Sequence, residues 1–267
     1  PLDRLLLNEP DTEVRKVMRT DLLTLSPLDE AGEAAQAFER YNLVSAPVVD
    51  ERGRLVGRLT VDEVVDVIRE EGEEAALGRV GLREDEDLFA TVWKSAQNRW
   101  LWLAVNLCTA FIASRVIGQF ESTIEKVVAL ATLMTVVMGI AGNAGNQTMT
   151  LMIRSIALGQ VTSGNSRRLV LKEMAIAGFN GLVWGCIAGC IAWFIYRDSP
   201  QGWLIGLTLL LAMTLNMIVG AVVGVFIPLM LERSGRDPAI GSSVLLTFTT
   251  DSMGVFIFLG LATLFFL

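Results

Sequence analysis

Asp251 is the residue best placed to do chemistry. It stands near the middle of an apolar run, 241–267, and is the only carboxylate deep inside any such run of this chain. Placing an acid at the centre of a bilayer costs roughly 2.5–3.5 kcal/mol on insertion scales. Such residues face a bundle interior or a water-filled path, and by default they mark an ion or proton site. Thr247, Thr249, Thr250 and Ser252 surround it with hydroxyls. An oxygen-rich lining of that kind suits a hard cation such as Mg²⁺ or Ca²⁺. The competing reading is an acid bonded to a neighbouring helix as packing glue; the default for intramembrane acids favours the ion path.

On a helix, Ser243, Thr247 and Asp251 are spaced by four and share one face, with Thr250 and Gly254 beside it. This stripe would line a pore. A second polar segment interrupts another apolar run, where Gly139, Gly142 and Gly145 alternate with Asn143, Asn146 and Gln147. The amide oxygens could face a hydrated cation, and Asn143 is the pore-lining candidate. The glycines suit close helix packing, the alternative being local unwinding against a cavity.

A third cluster is acidic: Asp62, Glu63, Asp66, Glu70, Glu71, Glu73 and Glu74. A charge run is usually a solvated helix face. Clustered carboxylates can also repel one another until a divalent ion bridges them, which makes a metal-controlled switch. Thr60 followed by Asp62 at a helix start suits ribose and phosphate contacts, or is an ordinary cap. No nucleophile–base pair, P-loop or dinucleotide fingerprint is present, so an enzyme is not expected. Nor is a nucleic-acid partner. With no His in the chain, a zinc site is improbable. Cys108, Cys186 and Cys190 all fall in apolar runs and read as small packing residues.

The elements that must carry these residues are of two kinds. Residues 1–99 hold 22 acids and 13 bases, a net of −9, whereas residues 100–267 hold 7 and 9, a net of +2. An acidic front half thus precedes a nearly uncharged one. Five runs approach the length needed to span about 30 Å of hydrocarbon: 100–119, 127–149, 174–196, 203–229 and 241–267. Trp100, Trp102, Trp193, Tyr196 and Trp203 sit at their ends as interfacial anchors. Arg154, Arg167, Arg168, Lys172, Arg233 and Arg236 crowd the loops after the second and fourth runs, while the opposite side holds only Arg115, Lys126 and Arg197. The positive-inside rule then puts the front half in the cytoplasm and the carboxyl end outside. Residues 1–11 are too polar for a signal peptide, and a chain that opens without Met reads as a fragment.

The front half reads as a small α/β module: a helix over 29–41, strands over 46–50 and 55–59 joined by a turn with Gly53, and a helix over 61–68. A charged connector without a core-forming pattern follows over 69–87. In this order, Val44-Ser45-Ala46-Pro47-Val48-Val49-Asp50, Gly53-Arg54-Leu55-Val56-Gly57 and Leu59-Thr60-Val61-Asp62-Glu63-Val64 resemble a CBS motif. Asp3-Arg4-Leu5-Leu6-Leu7 resembles the tail of a preceding one.

The apolar half resembles the MgtE family of magnesium channels and transporters. Four segments carry the resemblance: Arg99-Trp100-Leu101-Trp102 with Asn106-Leu107 and Thr109-Ala110-Phe111; residues Ala141-Gly142-Asn143-Ala144-Gly145-Asn146-Gln147; Ile153-Arg154-Ser155-Ile156-Ala157-Leu158-Gly159; and Asp237-Pro238-Ala239 with Thr247 and Asp251-Ser252-Met253-Gly254. Ala141 replaces a usual Gly, and Val244 a usual Pro. The family's amino-terminal helical domain and most of its first CBS motif are absent from the fragment. The resemblance implies an α-helical membrane protein of the cell (inner) membrane, with five transmembrane helices after a cytoplasmic CBS module. It divides the chain into the tail of a first CBS motif (1–10), a CBS motif (11–70), an acidic gating connector (71–98) and an ion-conducting domain (99–267). It also implies a homodimer whose second and fifth spans line one pore, with Asp251 binding the transported Mg²⁺. It favours a Mg²⁺ sensor in the acidic set without saying which residues bind; Asp62, Glu63, Asp66, Glu70, Glu71 and Glu74 are the candidates, with Asp237, on the loop entering the last span, as a membrane-side partner, and ATP at Thr60 and Asp62 is admitted. The alternatives are a Mg²⁺ exchanger coupled to H⁺ or Na⁺, and a membrane-anchored metal or nucleotide sensor that transports nothing.

Overall fold

The computed structural model describes residues 6–18, 21–82, 89–162 and 164–266. It separates into two compact units, Pro1–Glu73 and Glu74–Leu267. In the first unit a short helix α1 (Val14–Val17) precedes α2 (Ala31–Tyr41), β1 (Ser45–Val49), β2 (Leu55–Thr60) and the start of α3 (Val61–Arg79). The two strands pair antiparallel, Ser45 opposite Thr60 and Ala46 opposite Leu59, with an irregularity at Val48 and Val49 where the turn begins. Leu25 adds a single parallel bridge: its N–H donates to the Pro47 carbonyl at 3.0 Å, and its carbonyl accepts from Val49 at 2.8 Å.

Alternation puts Ala46 under the sheet, where it meets Ala34, Ala35 and Phe38 of α2, Val64 of α3 and Leu25. Ala31, at the first turn of α2, is exposed. Asn42 ends α2 in the left-handed region at φ 48°, which suits a short polar side chain. Of the tail of a first CBS motif expected over 1–10, residues 1–5 lie outside the described residues.

Helix α3 runs unbroken through position 70, where the sequence pattern changes from module to connector. The charged segment simply continues the helix, because Glu, Ala and Arg are good helix formers. Part of the connector, residues 83–88, lies outside the described residues.

Among the described residues, the second unit contains five helices long and apolar enough to cross a membrane: α4 (Val92–Gly118), α6 (Ala129–Ala157), α7 (Ser166–Ile195), α8 (Gly202–Arg233) and α9 (Ser242–Phe266). A six-residue helix that the sequence pattern does not announce, α5 (Glu121–Lys126), links the first two. The helices overrun the expected apolar spans because they continue into polar sequence. Arg154 thus lies in the last turn of α6, and Arg167, Arg168 and Lys172 lie in α7.

Helix α8 is the hub. It packs on α7, α6 and α9, and its buried side chains include Ile205, Leu209, Met213 and Met217. Small residues let the backbones approach: Gly206 meets Gly189 of α7, and Gly220 meets the Ala141 carbonyl of α6. Helix α4 buries none of its residues and makes its main contact with α9. The three cysteines are exposed on the outer surfaces of α4 and α7 rather than packed inside, which corrects their reading as packing residues.

Candidate functional site

The polar stripe of the last span is real as a helical face but divides in three dimensions. Thr247 is exposed and Asp251 half-buried. Both border a cleft of about 370 Å³ between α4 and α9, together with Leu103, Asn106, Leu107, Thr109, Ala110, Ala113 and Phe248. The lining is apolar except for Asp251, Thr247, Asn106 and Thr109. The Thr109 hydroxyl donates to the Asn106 carbonyl at 2.8 Å, so it is turned along its own helix. One carboxylate with a few amide and hydroxyl oxygens suits a cation that keeps most of its water. A fully dehydrated ion would need more ligands. Among the described residues no three His, Cys, Asp or Glu side chains converge to hold a metal.

Ser243, two turns before Asp251, donates its hydroxyl to Asn146 Oδ1 of α6 at 3.2 Å. Asn146 in turn donates to the Gly142 carbonyl at 3.1 Å. This chain ties the polar segment of α6 to the stripe of α9. Asn143, one turn before Asn146, is exposed. The glycine segment does not unwind: α6 is continuous from Ala129 to Ala157, and Gly145 lies against Leu246 and the Gly220 carbonyl.

Thr250 departs from the expected pore lining. It is 0% exposed, with its hydroxyl 3.0 Å from the Leu246 carbonyl and 3.2 Å from that of Thr247. It lies one position from Asp251, and successive helical residues differ by about 100° in azimuth. Its side chain therefore packs toward Gly142 and Gly220 when Asp251 looks into the cleft.

A second cavity, about 460 Å³, lies where the end of α3 meets the start of α9. Glu74, Gly78, Gly81, Gln97, Asn98, Trp102, Asp237 and Ile240 border it. The Gly241 N–H donates to the Gly78 carbonyl at 2.9 Å, a backbone bond joining the connector to the last span. Trp102 lies against both Gly81 and Gly241. Each glycine has positive φ, and a Cβ at either would overlap the indole ring. Asp237 caps the turn through Ala239 N–H at 2.8 Å. Arg79 reaches Thr150 of α6, Nη1 to Oγ1 at 3.4 Å. Glu74 and Asp237 are thus the two carboxylates of the acidic set that border one space.

The remaining acids of that set are spread along α3. Asp62, Glu63, Asp66 and Glu70 are exposed, Glu73 pairs with Arg69 at 3.4 Å, and the side chain of Glu71 lies outside the described residues. At the start of α3, Glu63 accepts from the Thr60 N–H at 3.1 Å and from its hydroxyl at 3.2 Å. This is a capping arrangement, for which the spacing Thr60-x-x-Glu63 was the available signal. The Thr60 hydroxyl, shared between Glu63 and Asp62, and then the backbone N–H of Asp62 itself hold the Asp62 carboxyl below the usual carboxylate range. Thr60 and Glu63 therefore have structural work whatever the module binds.

Asn216, a buried carboxamide in the middle of α8, is a further polar group inside the bundle. A single Asn in a 32-residue apolar helix gives little warning of its role.

The family model described as a divalent cation transporter, MgtE, matches residues 134–261. A CBS domain model matches residues 14–70. The magnesium transporter MgtE of Bacillus subtilis is 31% identical over 261 residues, covering 98% of this chain and 57% of that protein. The magnesium transporter MgtE of Thermus thermophilus is 32% identical over 268 residues, covering 97% and 57%. That of Enterococcus faecalis is 28% identical over 265 residues, covering 98% and 56%. The chain spans little more than half the length of these curated relatives.

Proposed function

Because the chain belongs to the MgtE family of divalent cation transporters, we propose that it passes Mg²⁺ into the cell as a homodimeric channel that closes when cytoplasmic Mg²⁺ is high. The observation that carries this reading is the placement of Asp251. An acid in an apolar helix borders a cleft, with Thr247 beside it and no ion pair to it among the described residues. One copy supplies one carboxylate. Two copies around a shared axis would supply two, which repel until a divalent cation stands between them. Mg²⁺ sheds water reluctantly, so the carboxylates act through retained water and select by charge and size. The end of α6 and the start of α7, which carry Arg154, Arg167 and Arg168, face the cytoplasm.

Closing belongs to the cavity bordered by Glu74 and Asp237. A Mg²⁺ ion bridging these two groups would hold the end of α3 against the start of α9, where the Gly78–Gly241 bond already joins them. The test is Mg²⁺ flux into proteoliposomes with no gradient of any other ion. Current without a coupling ion is expected; flux that appears only with a H⁺ or Na⁺ gradient would make the protein an exchanger. In the same assay Glu74→Ala and Asp237→Asn are expected to raise the cytoplasmic-side Mg²⁺ that halves the flux, by about tenfold or more. Asp237→Asn keeps an oxygen for the Ala239 N–H, so an effect in that variant reports the charge and not the turn. An unchanged half-inhibiting concentration in both would remove this pair from the switch.

A further inference from the structure

Three helices meet at Asn216. Its side chain is 0% exposed near the middle of α8. Its Nδ2 donates to the Val137 carbonyl of α6 at 3.3 Å and to the Thr250 carbonyl of α9 at 3.1 Å. Its Oδ1 is buried without a partner. Gly254, one turn beyond Thr250, leaves room for the amide, and a Cβ there would overlap it.

Filling space does not require this residue. The neighbouring buried positions of α8 are Ala212, Met213, Met217 and Gly220, and an apolar side chain of similar volume would leave no acceptor unpaired. What the amide does, and leucine does not, is hold two carbonyls at once. The Thr250 carbonyl belongs to the peptide unit that joins Thr250 to Asp251. The Thr250 hydroxyl is turned onto its own helix, so it does not compete for the amide. Gripping that peptide from the bundle interior fixes the rotation of α9 at the level of the acid. Asp251, about 100° farther round the helix, is thereby held toward the α4 cleft.

We propose that Asn216 is a positioning residue for the ion path: its carboxamide sets the azimuth of the last span and so the direction of the Asp251 carboxylate. The inference rests on the reading of Asp251 as the ion-binding acid, and its test includes a measurement that does not use transport. In the chain with Cys108, Cys186 and Cys190 replaced by alanine, Asp251→Cys is labelled in proteoliposomes by a charged, water-soluble thiosulfonate. Adding Asn216→Leu is expected to change the labelling rate of Cys at 251 by about tenfold. Gly254→Ala, which keeps Asn216 but pushes its amide from the Thr250 carbonyl, is expected to do the same. It carries the test if Asn216→Leu does not fold.

With Asp251 in place, both variants are expected to raise the Mg²⁺ concentration for half-maximal flux about tenfold or more, as losing a group behind a metal ligand does. A purely structural Asn216 would lower the melting temperature while the folded protein keeps the parent labelling rate and half-saturation. That result overturns the proposal. Changed labelling in a chain whose Asp251→Ala variant still conducts would instead discard the ion-path reading and leave the positioning role standing.

Discussion

Asp251→Ala and Asp251→Asn are both expected to abolish Mg²⁺ uptake into proteoliposomes, with a loss of more than about a hundredfold. The argument is electrostatic. At about 5 Å, through one water, and at an effective dielectric near 20, each pair of unit charges contributes roughly 3 kcal/mol. That corresponds to about two decades of occupancy. Asparagine keeps the shape and hydrogen-bonding oxygen of aspartate but not the charge, so it separates charge from geometry. The cleft around Asp251 holds Asn106, Thr109 and Thr247 as its other polar residues, none of which replaces an anion. Equal uptake in wild type and both variants would make Asp251 a packing residue and end the pore assignment.

The second large effect is on stability. Gly206→Val is expected to lower the melting temperature of the detergent-solubilised chain by roughly 5–10 °C, consistent with an overpacking penalty of about 2–3 kcal/mol. A Cβ at Gly206 would sit 2.5 Å from the Gly189 carbonyl oxygen, and one at Gly189 would sit 2.6 Å from that of Gly206. Backbone stands on both sides of the contact, so no side chain can turn away, and α7 and α8 must separate. Gly260→Ala is the control, since nothing lies within 4 Å of the added carbon. Its melting temperature is expected not to fall. Equal behaviour of the two substitutions would mean that the α7–α8 contact does not limit stability.

Much of the architecture was legible. Five apolar runs of spanning length have few ways to fold in a bilayer, because every backbone group must be satisfied within its own helix. The strand–turn–strand of the front unit followed from Pro47, Gly53 and the β-branched residues around them. Inside and outside were not legible within the spans. Lipid is as apolar as a helix interface, so Cys186, exposed, and Ala212, buried, look alike in sequence. The same ambiguity hid the inward turn of Thr250 and the role of Asn216, both of which depend on which helices happen to be neighbours. Trp102 read as an interfacial anchor from its place at the start of a span. Its contact with Gly81 and Gly241 joins residues far apart in the chain.

That last contact gives the molecule an optical handle. The chain has 6 tryptophans, and Trp93, Trp100, Trp184, Trp193 and Trp203 all have more than half of their surface exposed. Trp102 does not, because two glycines without side chains lie against its ring. A movement that parts the end of α3 from the start of α9 would uncover this indole. With those five replaced by phenylalanine, a red shift and quenching by iodide would follow the parting directly, in real time and without an attached dye.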